Sequence, residues 1–196
     1  AELSANHNGR LDTALRIVED AKKAGADAIK LQTYRPDTIT LDSDGDEFKI
    51  KGGLWDGRTL YELYEEAHMP WEWHRPLFDH ARKIGITIFS SPFDTTAIDM
   101  LEGLGTPAYK IASASLTDDA LLRHHRKTGR PIILSTGMST LAQVDHAVEV
   151  LGTKDLVLLH TTSAYPAKIA DLNLKMIPIL RERYGVPVGY SGHEVG

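Results

Sequence analysis

Short bursts of aliphatic and β-branched residues recur along the chain, and each is followed by a stretch whose apolar positions fall three or four apart. That alternation is how βα units of a parallel sheet are written in sequence. It predicts strands at 1–4, 27–33, 86–91, 107–112, 131–136, 155–162 and 186–191. Between the first two, Leu11, Ala14, Leu15, Val18 and Ala21 form one apolar stripe, which Gly25 ends. Further on, Thr140 and Gln143 have the spacing of a capping box ahead of Leu141, Val144, Val148 and Leu151, and Gly152 closes that helix.

The rhythm breaks at 35–58, a stretch rich in Pro, Asp, Gly and Lys that is too long for an ordinary βα loop. Because it follows a strand, it belongs on the face of the sheet where α/β proteins place their ligands. The expected fold class is α/β, a (β/α)8 TIM barrel. Seven strands are one short of closure, the first starts at Ala1 and the last is followed at once by the final residues. The expectation is therefore a single barrel domain over 1–196, truncated before its eighth strand. A doubly wound open sheet is the alternative, but it normally carries a glycine-rich phosphate loop after its first strand, and none stands there.

Composition narrows the partners. With 196 residues, 42% hydrophobic and 25% charged, the chain has the material for one globular core. A net charge of -5, with both signs interspersed, gives no basic footprint for nucleic acid. The absence of cysteine excludes disulfides, thiolate metal sites and cysteine nucleophiles, and fits a cytoplasmic protein. No apolar run nears the roughly 20 residues that cross a bilayer, and residues 1–10 are polar, so neither a membrane span nor a signal peptide is expected.

Strands that are apolar inside all finish polar, which is where barrel enzymes keep their chemistry. The ends carry Glu2, Asn6 and His7; Lys30 and Gln32; Ser90 and Ser91; Lys110 and Ser113; Ser135 and Thr136; His160 to Ser163; and Tyr190, Ser191 and His193. Lys30 and Lys110 interrupt apolar strands, where an ammonium needs an anionic partner. Two readings are open: pairing with a carboxylate such as Glu2, or a bound anion, which two lysines from different strands would make multiply charged.

Ser91, Ser113, Ser135, Ser163 and Ser191 each fall near the end of a different strand and offer hydroxyl and main-chain donors to phosphate oxygens; one such serine alone is more often a turn former or cap, and five around one ring shift that balance. His193 is a candidate metal ligand that needs a second: His160, His7 or a residue beyond Gly196; a hydrogen-bonded buried histidine is the plain alternative. His124, His125 and His146, on helices, are expected at the surface. Glu2 suits acid–base work or sugar hydroxyls, or else pairs with Lys30. Of the tryptophans, Trp55 is the candidate for stacking on a sugar ring, whereas Trp71 and Trp73 are expected to pack a helix.

The segments AELSANHNG, KLQTYRPDTIT, FSSPFD, PAYKIAS, ILSTGMST, TTSAYPA and VGYSGH, which span essentially the whole chain, resemble the sialic acid synthase family. The stretch FKIKGGLWDGRTLYELYEEAHMPWEWH resembles its pseudaminic acid branch in particular. The resemblance implies a barrel followed by a small antifreeze-like domain that reaches over the partner's site in a homodimer, and neither the eighth strand nor that domain lies in these 196 residues. It further implies that Lys30, Ser91, Lys110, Ser113, Ser135, Ser163 and Ser191 surround phosphoenolpyruvate, that Glu2, Gln32 and Tyr165 face an amino sugar, and that His193 is the first ligand of a divalent metal, Mn2+ or Mg2+. Glu2, Lys30, Lys110 and His193 are then the catalytic set. Ser163, Ser115 and Gly192 depart from the family pattern, which often has asparagine, glutamate and aspartate there, and this bears on sugar specificity.

The implied reaction has C3 of phosphoenolpyruvate attack the metal-polarised aldehyde of the open-chain sugar. Water then adds at C2, and phosphate leaves with cleavage of the C2–O bond. Two other readings stay open: a Schiff-base aldolase using Lys30 or Lys110 as its nucleophile, and a non-catalytic sugar- or phosphate-binding module.

Overall fold

The computed structural model describes residues 1–195. The chain packs as two compact units, residues 1–106 and 107–196.

The first unit opens with α1 (Leu11–Lys23), whose predicted stripe buries Ala14 and Val18. It continues through β1 (Ala28–Thr33), α2 (Pro36–Ile39), α3 (Leu60–Ala67), α4 (His74–Ile84), β2 (Thr87–Pro92) and α5 (Thr95–Gly103). β1 and β2 pair in parallel, Lys30 opposite Phe89 and Gln32 opposite Ser91. The strand expected at 1–4 is reduced to one parallel bridge between Glu2 and Lys30, made by the Lys30 N–H to the Ala1 carbonyl at 2.9 Å and the Leu3 N–H to the Lys30 carbonyl at 3.0 Å.

Burial in β1 alternates: Ile29, Leu31 and Thr33 are buried, while Lys30 and Gln32 are partly open. A β-strand sends successive side chains to opposite faces. The buried set meets α4 through His74, which is wholly buried. His74 Nδ1 lies 3.2 Å from the Trp71 carbonyl, an acceptor only, so Nδ1 carries the proton. Burial holds this imidazole neutral, its pKa pushed down to about 4. Nε2 therefore accepts from the Thr33 hydroxyl at 2.8 Å, and the Thr33 oxygen accepts from Ser90 at 2.7 Å. The chain of bonds ties the C-terminal ends of β1 and β2 to α4 and turns Ser90 away from the open face.

The second unit contains β3 (Tyr109–Ile111), α6 (Asp119–Thr128), β4 (Ile132–Ser135), α7 (Leu141–Leu151), β5 (Leu156–Thr161), α8 (Met176–Tyr184) and β6 (Val188–Ser191). Its four strands pair in parallel in sequence order. Ile111, Leu134, Leu158 and Val188 are in register and join Leu122, Val144, Ala147, Val148, Leu151 and Leu180 of the helices in one core cluster. The expected capping box is present: Thr140 Oγ1 accepts the Gln143 N–H at 3.3 Å, and Gln143 Oε1 accepts the Thr140 N–H at 2.8 Å.

His125 corrects an expectation. It is wholly buried, edge-on to Tyr109 with ring centroids 5.2 Å apart. It stands one turn after Leu121 on the buried stripe of α6, and Nδ1–H donates to the Leu121 carbonyl at 2.9 Å. Burial pushes its pKa down to about 4. His146 is exposed and bonded to Asp119, as a surface histidine should be.

Candidate functional site

Strand parity and register place the candidate residues of each unit on the face opposite its helices. In the first unit, Lys30, Gln32 and Ser91 share that face. The Glu2 carboxylate joins them by an ion pair with the Lys30 ammonium. Ser4 extends the group, its N–H donating to Glu2 Oε1 at 3.1 Å and its hydroxyl to Gln32 Oε1 at 3.4 Å. Of the two readings open for Lys30, the structure supplies the carboxylate partner. Ser91 Oγ is buried without a hydrogen-bond partner.

In the second unit, Lys110, Ser135, Thr161 and Ser191 share the face away from the core cluster. Ser135 Oγ is also buried and unpartnered. A buried hydroxyl with no partner costs roughly 1–3 kcal/mol, and one stands at the end of each of β2 and β4. Ser113 follows β3, and its hydroxyl accepts the Gly137 N–H at 3.0 Å. A Cβ on Gly137 would overlap Ser163 Oγ and crowd Thr161 and Ser113. Glycine is needed at 137 for space, not for a left-handed backbone. The ends of β3, β4 and β5 thus meet in a small cradle of hydroxyl and amide groups.

Ser191 ends β6, and its carbonyl accepts the Thr161 hydroxyl at 2.7 Å. Beyond it, His193 Nε2 lies 3.1 Å from Tyr165 Oη, with the rings 4.2 Å apart. The Ala167 N–H donates to the His193 carbonyl at 2.9 Å and fixes the two loops together. His160 is not a second metal ligand through Nε2, which donates to the Leu172 carbonyl at 2.7 Å on the helix side of the sheet. His7 is buried in the first unit, its Nδ1 accepting the Gly9 N–H at 3.1 Å and its ring edge-on to Trp73. Burial lowers its pKa, partly opposed by the Ala67 carbonyl. Among the described residues, no three His, Asp or Glu side chains gather as a metal cluster would.

The insertion after β1 folds back on itself: an antiparallel bridge joins Lys49 to Thr59, and Gly57, at φ +82°, lets the chain turn so that its N–H reaches the Ile50 carbonyl at 2.9 Å. Trp55 stands at the tip of this loop, half exposed. With Ser4–Asn6, Asn8, Gly9 and the Leu63, Glu66 and Ala67 positions of α3, it lines a cleft of about 640 Å³. Trp71 instead packs under the Arg35 guanidinium, 3.7 Å from its ring centre.

Reasoning from sequence passed over Gly137 and Ser4. The signal for the first was a glycine two residues beyond a strand end inside ILSTGMST; for the second there was none, since a serine bridging Glu2 and Gln32 depends on the tertiary pairing of residues 1–3 with β1.

Parallel strands joined through helices, with polar side chains at their C-terminal ends, define a protein of the (β/α)-barrel class. A model of the NeuB family matches residues 17–196, and the chain belongs to that family. It is 50% identical to the pseudaminic acid synthase of Campylobacter jejuni over 199 aligned residues, which cover all of this chain and 58% of that protein. It is 46% identical to the pseudaminic acid synthase of Helicobacter pylori, again over all of this chain and 58% of the relative. The chain therefore spans little more than half the length of these relatives. The crystal structure of N-acetylneuraminic acid synthetase from Leptospira borgpetersenii, in complex with citrate, matches with a TM-score of 0.88 at 31% identity, covering 100% of this chain and 65% of that one.

Proposed function

We propose that the full-length protein condenses phosphoenolpyruvate with an N-acetylated amino sugar to give a sialic-acid-like nonulosonic acid and phosphate. The identity to two pseudaminic acid synthases favours a 2,4-diacetamido-2,4,6-trideoxyhexose over N-acetylmannosamine as the acceptor. The observation that supports the reading is the cradle of Ser113, Gly137 and Ser163, together with the buried, unpartnered hydroxyl of Ser135 at the end of β4. Hydroxyl and amide groups drawn this close together at neighbouring strand ends suit the oxygens of a phosphate or carboxylate.

In this reading Ser91, Ser113, Ser135, Ser163 and Ser191, with Lys30 and Lys110, hold phosphoenolpyruvate, and Glu2, Gln32 and Tyr165 face the sugar. C3 of phosphoenolpyruvate forms a bond to the aldehyde carbon, whose oxygen takes up a proton. Water adds to C2 and loses a proton. As the C2 hydroxyl gives up its remaining proton, the bond from C2 to the bridging oxygen breaks, phosphate departs with that oxygen, and a C2 ketone remains. The protein groups orient the two substrates and balance the charge of the anionic one throughout.

A divalent cation, Mn2+ or Mg2+, enters the proposal only through His193. The described residues do not form a complete set of ligands around it, and no step is assigned to the metal. A cytoplasmic homodimer is part of the same reading. No helix among the described residues is long and apolar enough to cross a membrane. A Schiff-base mechanism at Lys30 is disfavoured, because an ammonium held by the Glu2 carboxylate has no lone pair with which to attack a carbonyl.

The test is phosphate release by the full-length protein with phosphoenolpyruvate, Mn2+ and each sugar in turn. The reading predicts release that requires both the sugar and phosphoenolpyruvate; no release with either acceptor overturns it.

A further inference from the structure

The cleft at the tip of the insertion has a composition that a simple hydroxyl-bearing sugar would not need. One wall is the exposed half of Trp55 with Leu63 and Ala67 of α3; the other is the loop from Ser4 to Gly9. Apolar groups of Trp55, Leu63, Ala5 and Ala67 and polar groups of Ser4, Asn6, Asn8 and Glu66, whose carboxylate is paired with Arg58, line a volume of about 640 Å³, well within the range of small-molecule sites. An exposed indole beside methyl-bearing walls receives a methyl group or an amide plane well, and neighbouring amides receive its polar edge.

The cleft is joined to the residues proposed to face the sugar. Ser4 lines it and also bonds Glu2 Oε1 and Gln32 Oε1, so the cleft adjoins the residues proposed to face the sugar. The Asn6 amide is oriented for recognition, because its Nδ2 donates to the Leu3 carbonyl at 2.9 Å and its oxygen is left to accept. The walls are fixed in shape. Glu62 and Thr59 close a reciprocal cap at the start of α3, and the Lys49–Thr59 bridge closes the base of the Trp55 loop.

We infer that the cleft between Trp55 and the Ser4–Gly9 loop is a specificity subsite for an acylamino group on the sugar carbon remote from the reacting aldehyde. The acyl methyl packs on Trp55, Leu63 and Ala67, and the amide N–H donates to the Asn6 oxygen. This inference rests on the proposed synthase reaction and adds the group by which the acceptor is chosen. A hexose with a hydroxyl in place of that acylamino group leaves the apolar wall wet and the Asn6 oxygen without the amide donor, so the cleft selects against it.

The experiment compares kcat/KM of the full-length protein for 2,4-diacetamido-2,4,6-trideoxyhexose and for N-acetylmannosamine, in the wild type, Trp55→Ala and Trp55→Phe. Trp55 is half exposed, so neither substitution threatens the fold. Trp55→Ala is expected to shrink the preference for the diacetamido sugar at least tenfold, through KM for that sugar, and Trp55→Phe to restore most of it. An equal change for both sugars, or none, overturns the subsite. A binding measurement separates this from failure of the reaction itself: saturation-transfer NMR is expected to show the two acetyl methyls of the diacetamido sugar unequally saturated in the wild type and equalised in Trp55→Ala. That pattern without phosphate release would sink the synthase reading and keep the subsite; turnover with no such pattern would sink the subsite alone.

Discussion

The main-chain N–H of Gly137 donates to the hydroxyl of Ser113 at 3.0 Å, which draws the loop after β4 against the end of β3. Ser163, from the end of β5, closes the third side so tightly that no Cβ fits at 137. Gly137→Ala is expected to displace Ser163 and Ser113 and lower kcat/KM for phosphoenolpyruvate about 100-fold, the usual cost of an ångström-scale misplacement at a reacting centre. Steady-state kinetics of the full-length protein checks it, and a variant as active as the wild type would remove the cradle from the site.

Ser135 separates binding from stability. Its hydroxyl is buried and makes no hydrogen bond in the protein, so Ser135→Ala removes a desolvated group and is expected to leave the folded state unchanged or more stable by about 1 kcal/mol. The same change should raise KM for phosphoenolpyruvate about tenfold, the cost of one hydrogen bond to a charged ligand. Urea unfolding and kinetics on one preparation read both; a destabilised variant with unaltered KM would assign Ser135 to the fold instead.

Thr33→Val keeps the shape of the side chain and removes the hydroxyl shared by His74 and Ser90. Two buried polar groups then lose their partner, and the expected loss is about 2–3 kcal/mol of unfolding free energy. A loss below about 0.5 kcal/mol would mean that the network contributes nothing to holding β1 and β2 on α4.

His74 and His125 predict how stability depends on pH. Each has its folded pKa pushed by burial from 6.5 to about 4, so the unfolded chain takes up a proton that the folded one refuses. Their contribution is complete above pH 6.5 and is lost as pH falls towards 4, about 2 kcal/mol per histidine at pH 5. His125→Phe keeps a ring against Tyr109 and removes the titration. It is expected to lose less stability than the wild type between pH 7.5 and pH 5 in urea melts; parallel losses would contradict the assignment.

Much of the fold was legible because alternation of strand bursts and helical stripes is a property of the chain itself. Boundaries were less so. The strand expected at 107–112 is Tyr109–Ile111, since Pro107 has no N–H for the ladder and Ser113 begins a 3-10 turn. Residue type predicts His125 at the surface, yet its spacing from Leu121 puts it on the buried stripe of α6. Residues 49–59 carry no period to read, because their shape comes from turns and one bridge between Lys49 and Thr59. The pairing of Lys30 with Glu2 was legible as one of the two readings open for that lysine. Which serines lack partners was not legible, since it depends on what the tertiary structure leaves beside each hydroxyl.

The central claim is that phosphate leaves from C2 of phosphoenolpyruvate after condensation with a sugar, and the fate of the bridging oxygen tests it most directly. Phosphoenolpyruvate labelled with oxygen-18 in the C–O–P bridge would be turned over by the full-length protein with the diacetamido sugar, and the released phosphate analysed by mass spectrometry. The account predicts that the phosphate carries the label. Unlabelled phosphate, with the label retained in the organic product, would mean that the P–O bond breaks and would contradict it.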